Sequence, residues 1–120
     1  NYVDITEKLD VTHAQFKQNG VITAAIDVVF NGRRIHAVDS GNGRLDAVSN
    51  AIRSCTGLEY SLSSYSEHAL EVGSTSKAVS YVEIIDKDGN SFWGAGTDDD
   101  IIKSSIKALV SAINNKLTAA

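Results

Sequence analysis

The chain has 120 residues, 42% of them hydrophobic and 22% charged, with a formal net charge of −4. One globular domain is the natural reading, able to bury roughly two-thirds of its surface. The acidic balance, with nothing more basic than Arg33-Arg34, argues against a nucleic-acid partner held through phosphates. No apolar run approaches the roughly 20 residues of a membrane-spanning helix, so no membrane partner is expected either. The single cysteine, Cys55, excludes an internal disulfide and fits a reducing, cytoplasmic compartment. With no methionine anywhere, the chain is expected to be a piece of a longer protein.

Taken in order, Tyr2-Val3-Asp4-Ile5 and Val11 to Phe16 alternate as strands do, and Asn19-Gly20 closes the second run. Val21 to Phe30 is rich in β-branched residues, and Asn31-Gly32 after it is a strong hairpin signal. Arg33 to Asp39 should return as a strand. Apolar residues at Leu45, Val48, Ala51 and Ile52 have helical spacing, which predicts a helix from Arg44 or Leu45 to Ser54 or Cys55, with Gly57 past its end. The order then recurs. Tyr60 to Val72 alternates, Gly73 breaks it, Ala78 to Ile85 is β-branched, and Asp86-Lys87-Asp88-Gly89-Asn90 is turn chemistry. Ser91-Phe92-Trp93 leads to a second glycine pair, Gly94-Ala95-Gly96. A longer helix from about Asp99 to Leu117 sets Ile102, Ile106, Leu109, Val110 and Ile113 on one stripe.

A constant spacing lays Ala24 on Ala78, Val28 on Val82, Asp46 on Asp100 and Ile52 on Ile106. Two tandem βββα units follow, about 11–57 and about 60–118, in one α+β domain. Neither unit can bury its apolar face alone, so they are expected to pack together and, at their edges, against a second copy.

Between the first run of strands and the first helix lies Gly41-Asn42-Gly43-Arg44-Leu45-Asp46. A strand, a glycine turn and a helix start aim backbone N–H groups outward at the positive end of a helix dipole, where a phosphate or carboxylate is stabilised. The same glycines also fit a tight turn that needs positive φ and binds nothing. Gly94-Ala95-Gly96 reads as the equivalent corner of the second unit. Its helix opens on Asp98-Asp99-Asp100, which would repel an anion.

Several residues in fixed order carry a family resemblance: Gly41-Asn42-Gly43, Asp46-Ala47, Leu62 with Tyr65, Ala78, Gly94 and Gly96, and the helix Ser104 to Asn114. Together they resemble the C-terminal regulatory domain of 2-isopropylmalate synthase, shared with the citramalate synthases. The resemblance covers the chain from about Val11. It implies a domain that follows a catalytic barrel, pairs with its copy in a homodimer, and binds leucine, or isoleucine in the citramalate branch, as feedback inhibitor. It further implies that Gly41, Asn42, Gly43 and Asp46 meet the charged groups of the amino acid. Leu45, Leu62, Tyr65 and Ala69 would hold its side chain, with Ala78 and Thr97 at the margin. Arg44 stands where the family commonly has proline, and Lys77 where an acid is usual.

Catalysis, cofactor and metal readings are poor. His13, His36 and His68 fall in separate predicted strands without metal-ligand spacing, and Cys55 has no evident base and reads as an inert, partly buried thiol. The acids at 98–100 are explained by helix capping, and the turn at 86–90 lacks the later glutamate of a calcium loop. Trp93 reads as a packing residue, and Tyr65 fits either the core or a ligand wall. A free-standing amino-acid-sensing dimerisation module is the other function class these features allow.

Overall fold

The computed structural model describes residues 9–72 and 75–118. The run Tyr2-Val3-Asp4-Ile5 and the break at Gly73 lie outside them. In chain order the elements are β1 (Leu9–Asn19), β2 (Val21–Phe30), β3 (Arg33–Gly41), α1 (Arg44–Thr56), β4 (Tyr60–Val72), β5 (Thr75–Asp86), β6 (Ser91–Asp98) and α2 (Ile101–Thr118). Both sheets are antiparallel meanders, β1-β2-β3 and β4-β5-β6. The α+β fold of two βββα repeats stands as the sequence implied.

Local chemistry sets the corners. Asn31 and Gly32 both take positive φ, 55° and 79°, the pairing that a two-residue hairpin with the twist of its strands requires. The β5–β6 turn is longer. There the Asp86 carboxylate accepts the N–H groups of Asn90 and Asp88, each at 2.9 Å, and the Asn90 bond above all holds its pKa below the ordinary carboxylate value. Helix α1 stops at Gly57, φ 73°, whose N–H donates to the Arg53 carbonyl at 3.0 Å.

The inward rows of the two central strands, Ala24-Ile26-Val28 and Ser80-Val82-Ile84, are fully buried. Helix α1 covers β2 and β3, and α2 covers β5 and β6 while also reaching β1. Ala47, Val48, Ala51 and Ile52 meet Ala108, Leu109 and Ile113 in one continuous core. Two polar clasps bind the repeats to each other. The Asn114 amide exchanges two hydrogen bonds with the backbone of Leu9, at 2.8 and 2.9 Å. On the other side Tyr60, at the start of β4, bonds to Ser49 of α1, and its carbonyl accepts the Arg53 guanidinium at 3.1 Å.

The internal register differs from the constant spacing. Each first strand carries a bulge, between Val11 and His13 and between Leu62 and Ser64. Matching the bulges sets Val11 on Leu62, Phe16 on Glu67, Ala24 on Ser80 and Val28 on Ile84. Farther along, Ile22 pairs with Gly41 as Ala78 pairs with Asp98. The Gly43 carbonyl accepts the Ala47 N–H at 2.9 Å, as the Asp100 carbonyl accepts that of Ser104. Gly41-Asn42-Gly43 therefore corresponds to Asp98-Asp99-Asp100, and Ala24 does not correspond to Ala78, nor Asp46 to Asp100.

Gly94 and Gly96 are not a corner at all; they lie inside β6. A Cβ on Gly94 would stand 2.2 Å from the Ala112 nitrogen, and one on Gly96 2.5 Å from the Ser104 carbonyl oxygen. These glycines let α2 lie directly on the strand.

Candidate functional site

The corner between β3 and α1 is built by close approach rather than by unusual torsions. Neither Gly41 nor Gly43 has positive φ. A Cβ on Gly41 would lie 2.7 Å from the Ala47 nitrogen and 2.9 Å from the Asp46 carbonyl carbon, so only glycine lets the strand end pass this near the helix. Gly43 is extended, φ −139°, and serves as the N-cap of α1 without any side-chain cap hydrogen bond. Its nearest neighbour, Asp46 Oδ2, would sit 3.4 Å from an added Cβ. Asn42 and Arg44 are exposed, and Asp46 is half-buried in the first helical turn.

The corresponding corner at α2 is electrostatically the opposite. Asp100 Oδ1 accepts the Ile102 N–H at 2.8 Å, and Asp98 Oδ1 accepts that of Asp100 at 3.1 Å. Lys107 Nζ lies 2.8 Å from Asp98 Oδ2, and this bond, with the Asp100 N–H, draws the Asp98 pKa below its ordinary value. Thus α2 spends its positive end on carboxylates of its own chain. Helix α1 has a bare glycine cap and keeps that end available.

The apolar candidates divide. Leu45 is 4% exposed and belongs to the core. Leu62 is half-buried against that core, and Tyr65 is 49% exposed. Strand register pairs Tyr65 with Val82 and Glu67 with Ser80, so both sit on the helix-facing side of their sheet, and pairs the backbone of Ala69 with that of Ala78. Thr97 pairs with Val79, which puts it on the outer side, exposed and apart from the rest.

The meeting of β1 with the start of α2 shows how such a wall and corner come together across the two repeats. A cavity of about 540 Å³ opens between Val11, Ala14 and Phe16 of β1 and Asp98, Asp100, Ile102, Lys103 and Ile106 at the start of α2. Under the repeat correspondence the matching set is Leu62, Tyr65 and Glu67 against Gly41, Gly43, Leu45, Asp46 and Ser49. An open helix end, an acid and a partly apolar wall with an aromatic ring form a set suited to a small zwitterion with an apolar side chain. Sequence reading missed Glu67, because only the register shows which face of β4 it occupies.

The other candidates are elsewhere. His13 and His36 flank Asp27 on the outer face of the first sheet, with His36 Nδ1 2.8 Å from Asp27 Oδ1, in the open. Among the described residues no three His, Cys, Asp or Glu side chains are grouped to hold a metal. Burial raises the pKa of the half-buried Cys55 thiol, as suits an inert one. Trp93 is not in the core: it is 52% exposed on the outer face of the second sheet, with Tyr81 at 43%.

A family profile described as the LeuA allosteric (dimerisation) domain matches residues 4–117. The chain belongs to that family. Its relatives agree: it is 42% identical, over 97% of its length, to a 2-isopropylmalate synthase of Desulfitobacterium hafniense, covering 21% of that protein. A 2-isopropylmalate synthase of Helicobacter hepaticus is 54% identical over 62% of the chain and 13% of the relative. One from Aquifex aeolicus is 35% identical over 92% of the chain and 22% of the relative. The match thus spans between 13% and 22% of the length of these curated relatives. Within the LeuA allosteric domain family, the repeat architecture here is an allosteric fold, and no helix among the described residues is long and apolar enough to cross a membrane.

Proposed function

We propose that this chain is the amino-acid-binding regulatory domain of a 2-isopropylmalate synthase, a piece of a longer chain in which leucine inhibits a catalytic domain upstream. The catalytic partner condenses acetyl-CoA with 2-oxoisovalerate, and this reading gives that chemistry to the upstream domain. The observation that carries the reading is the uncapped start of α1 at Gly43, beside Asp46, in contrast to the self-capped start of α2. The leucine carboxylate is received by the Gly41-Asn42-Gly43 corner, and its isobutyl group lies against Leu62 and Tyr65. Two copies pair, and effector held at the pairing adds its binding energy to association.

Calorimetry of the chain against leucine, isoleucine and valine tests this. Saturable leucine binding, tighter than isoleucine, is the expected result. Tighter isoleucine binding moves the assignment to the citramalate branch, and absence of binding by all three removes it. Sedimentation with and without leucine checks the pairing, which a monomer at high concentration in both conditions would refute.

A further inference from the structure

The second repeat contains a buried polar chain that the first repeat lacks. Ser80, Ser104 and Ser105 are fully buried. Ser80 Oγ lies 2.7 Å from Ser104 Oγ and 3.1 Å from Ser105 Oγ, and Ser104 Oγ donates to the Ile101 carbonyl at 2.8 Å. Ser105 Oγ donates to Glu67 Oε2 at 2.5 Å, which carries the chain out to an exposed carboxylate on β4. At the corresponding positions repeat one has Ala24, Ala47, Val48 and Phe16, all apolar. The same packing job is therefore done without any polar atom. Four polar residues in its place give no advantage in stability, since buried hydroxyls must first recover their own desolvation. What the cluster does is hold one carboxylate in a fixed direction.

That carboxylate has a defined outlook. Its counterpart Phe16 faces the cavity at the start of α2, together with Val11 and Ala14. By the repeat correspondence Glu67 takes the place of Phe16, beside Leu62 and Tyr65, and the counterpart of the corner that Phe16 faces is the start of α1. Among the described residues no hydrogen bond or ion pair reaches its second oxygen, Oε1. We propose that Glu67 is the specificity residue that receives the ammonium group of an α-amino acid bound at the Gly41–Gly43 corner, and that Ser105 is the residue that positions it. This rests on the reading of that corner as the effector site. The ligand then lies between unlike ends, its carboxylate at the α1 N–H groups and its ammonium at Glu67. A carboxylic acid with the same carbon skeleton but no amino group satisfies only the first. A charge-assisted hydrogen bond of this kind is worth about tenfold or more in affinity.

The test compares leucine with 4-methylpentanoate, its skeleton without the amino group, by calorimetry on wild type, Glu67→Gln and Ser105→Ala. The Gln amide oxygen still accepts the Ser105 hydrogen bond, so its melting temperature should match wild type. Its preference for leucine over 4-methylpentanoate should fall about tenfold or more. If 4-methylpentanoate binds too weakly to measure, leucine affinity itself must fall by that factor. Ser105→Ala, which leaves the charge but frees its direction, should lose a smaller part of the preference. A Glu67→Gln protein of unchanged melting temperature that keeps the full preference overturns the proposal. If Glu67→Gln does not fold, an unchanged preference in folded Ser105→Ala overturns it instead. Wild type that binds no branched-chain amino acid removes the effector reading and this proposal with it. Wild type that binds leucine while Glu67→Gln is indifferent removes this proposal alone.

Discussion

Ser49 and Tyr60 are tied together inside the core. The Ser49 hydroxyl donates to the Tyr60 phenol oxygen at 3.0 Å, and the phenol O–H reaches the Ser49 carbonyl at 3.3 Å. Arg53 stands over the Tyr60 ring, 5.8 Å from its centre. This contact fastens the second repeat to the first helix and fixes where β4 begins.

Tyr60→Phe should therefore lower stability by about 1–2 kcal/mol, because the buried Ser49 hydroxyl loses its acceptor. Thermal melting reads this directly. Burial raises the phenol pKa to about 12 from an ordinary 10.0. A group whose folded pKa is raised contributes stability that is complete below pH 10 and is lost as pH climbs toward 12. Unfolding free energy measured between pH 9 and 12 should fall in wild type through this group, and less so in Tyr60→Phe.

Gly94→Ala should be among the most damaging single changes, because its methyl would meet the backbone of Ala112 and Ala108 at 2.2 and 2.3 Å. Lifting α2 off β6 should cost about 3 kcal/mol or more. Melting temperature and expression yield should both drop. Gly96→Asp should behave alike, harming the fold more than effector affinity in whatever fraction folds.

Gly43→Asp should do the reverse. An extended backbone and a nearest neighbour at 3.4 Å allow the side chain, so the protein should melt near wild type. Its carboxylate would stand at the helix end that is proposed to take the ligand carboxylate, and leucine titration should show no binding. In a longer enzyme the same change should leave catalysis running free of feedback, removing a coupling of about 1–3 kcal/mol. Unaltered leucine affinity in the folded variant would refute the placement of the site.

Asp100→Ala separates capping from binding. Loss of the cap that accepts the Ile102 N–H should cost about 1 kcal/mol in stability while leaving leucine affinity unchanged. A fall in affinity without a fall in melting temperature would point to the wrong helix.

The features legible in the sequence are those decided by neighbours along the chain. Asn31-Gly32 announces its turn because two positive φ values exclude most other pairs, and the α2 stripe from Ile102 to Ile113 is a matter of spacing alone. Gly94 and Gly96 were misread because a glycine that admits a helix and a glycine that turns a corner are the same letter. Only the facing element distinguishes them. The repeat register was misplaced for a related reason. Its β1–β2 and β4–β5 hairpins differ in length, so no single shift fits both halves. Glu67 stayed hidden because a glutamate in an alternating strand reads as a solvated position. Its partner Ser105 lies on a helix 38 residues away.

The double hydrogen bond between Leu9 and Asn114 joins residues 105 apart in the chain. Every strand pairing, by contrast, closes within one repeat between neighbouring strands, and such hairpins form in about 1–10 microseconds. Loop-closure entropy makes the long contact the last to be repaid. In kinetic terms the slow step of folding is thus the meeting of two halves, not the making of either. The exchange of the Leu9 amide proton becomes a clock for how often they part.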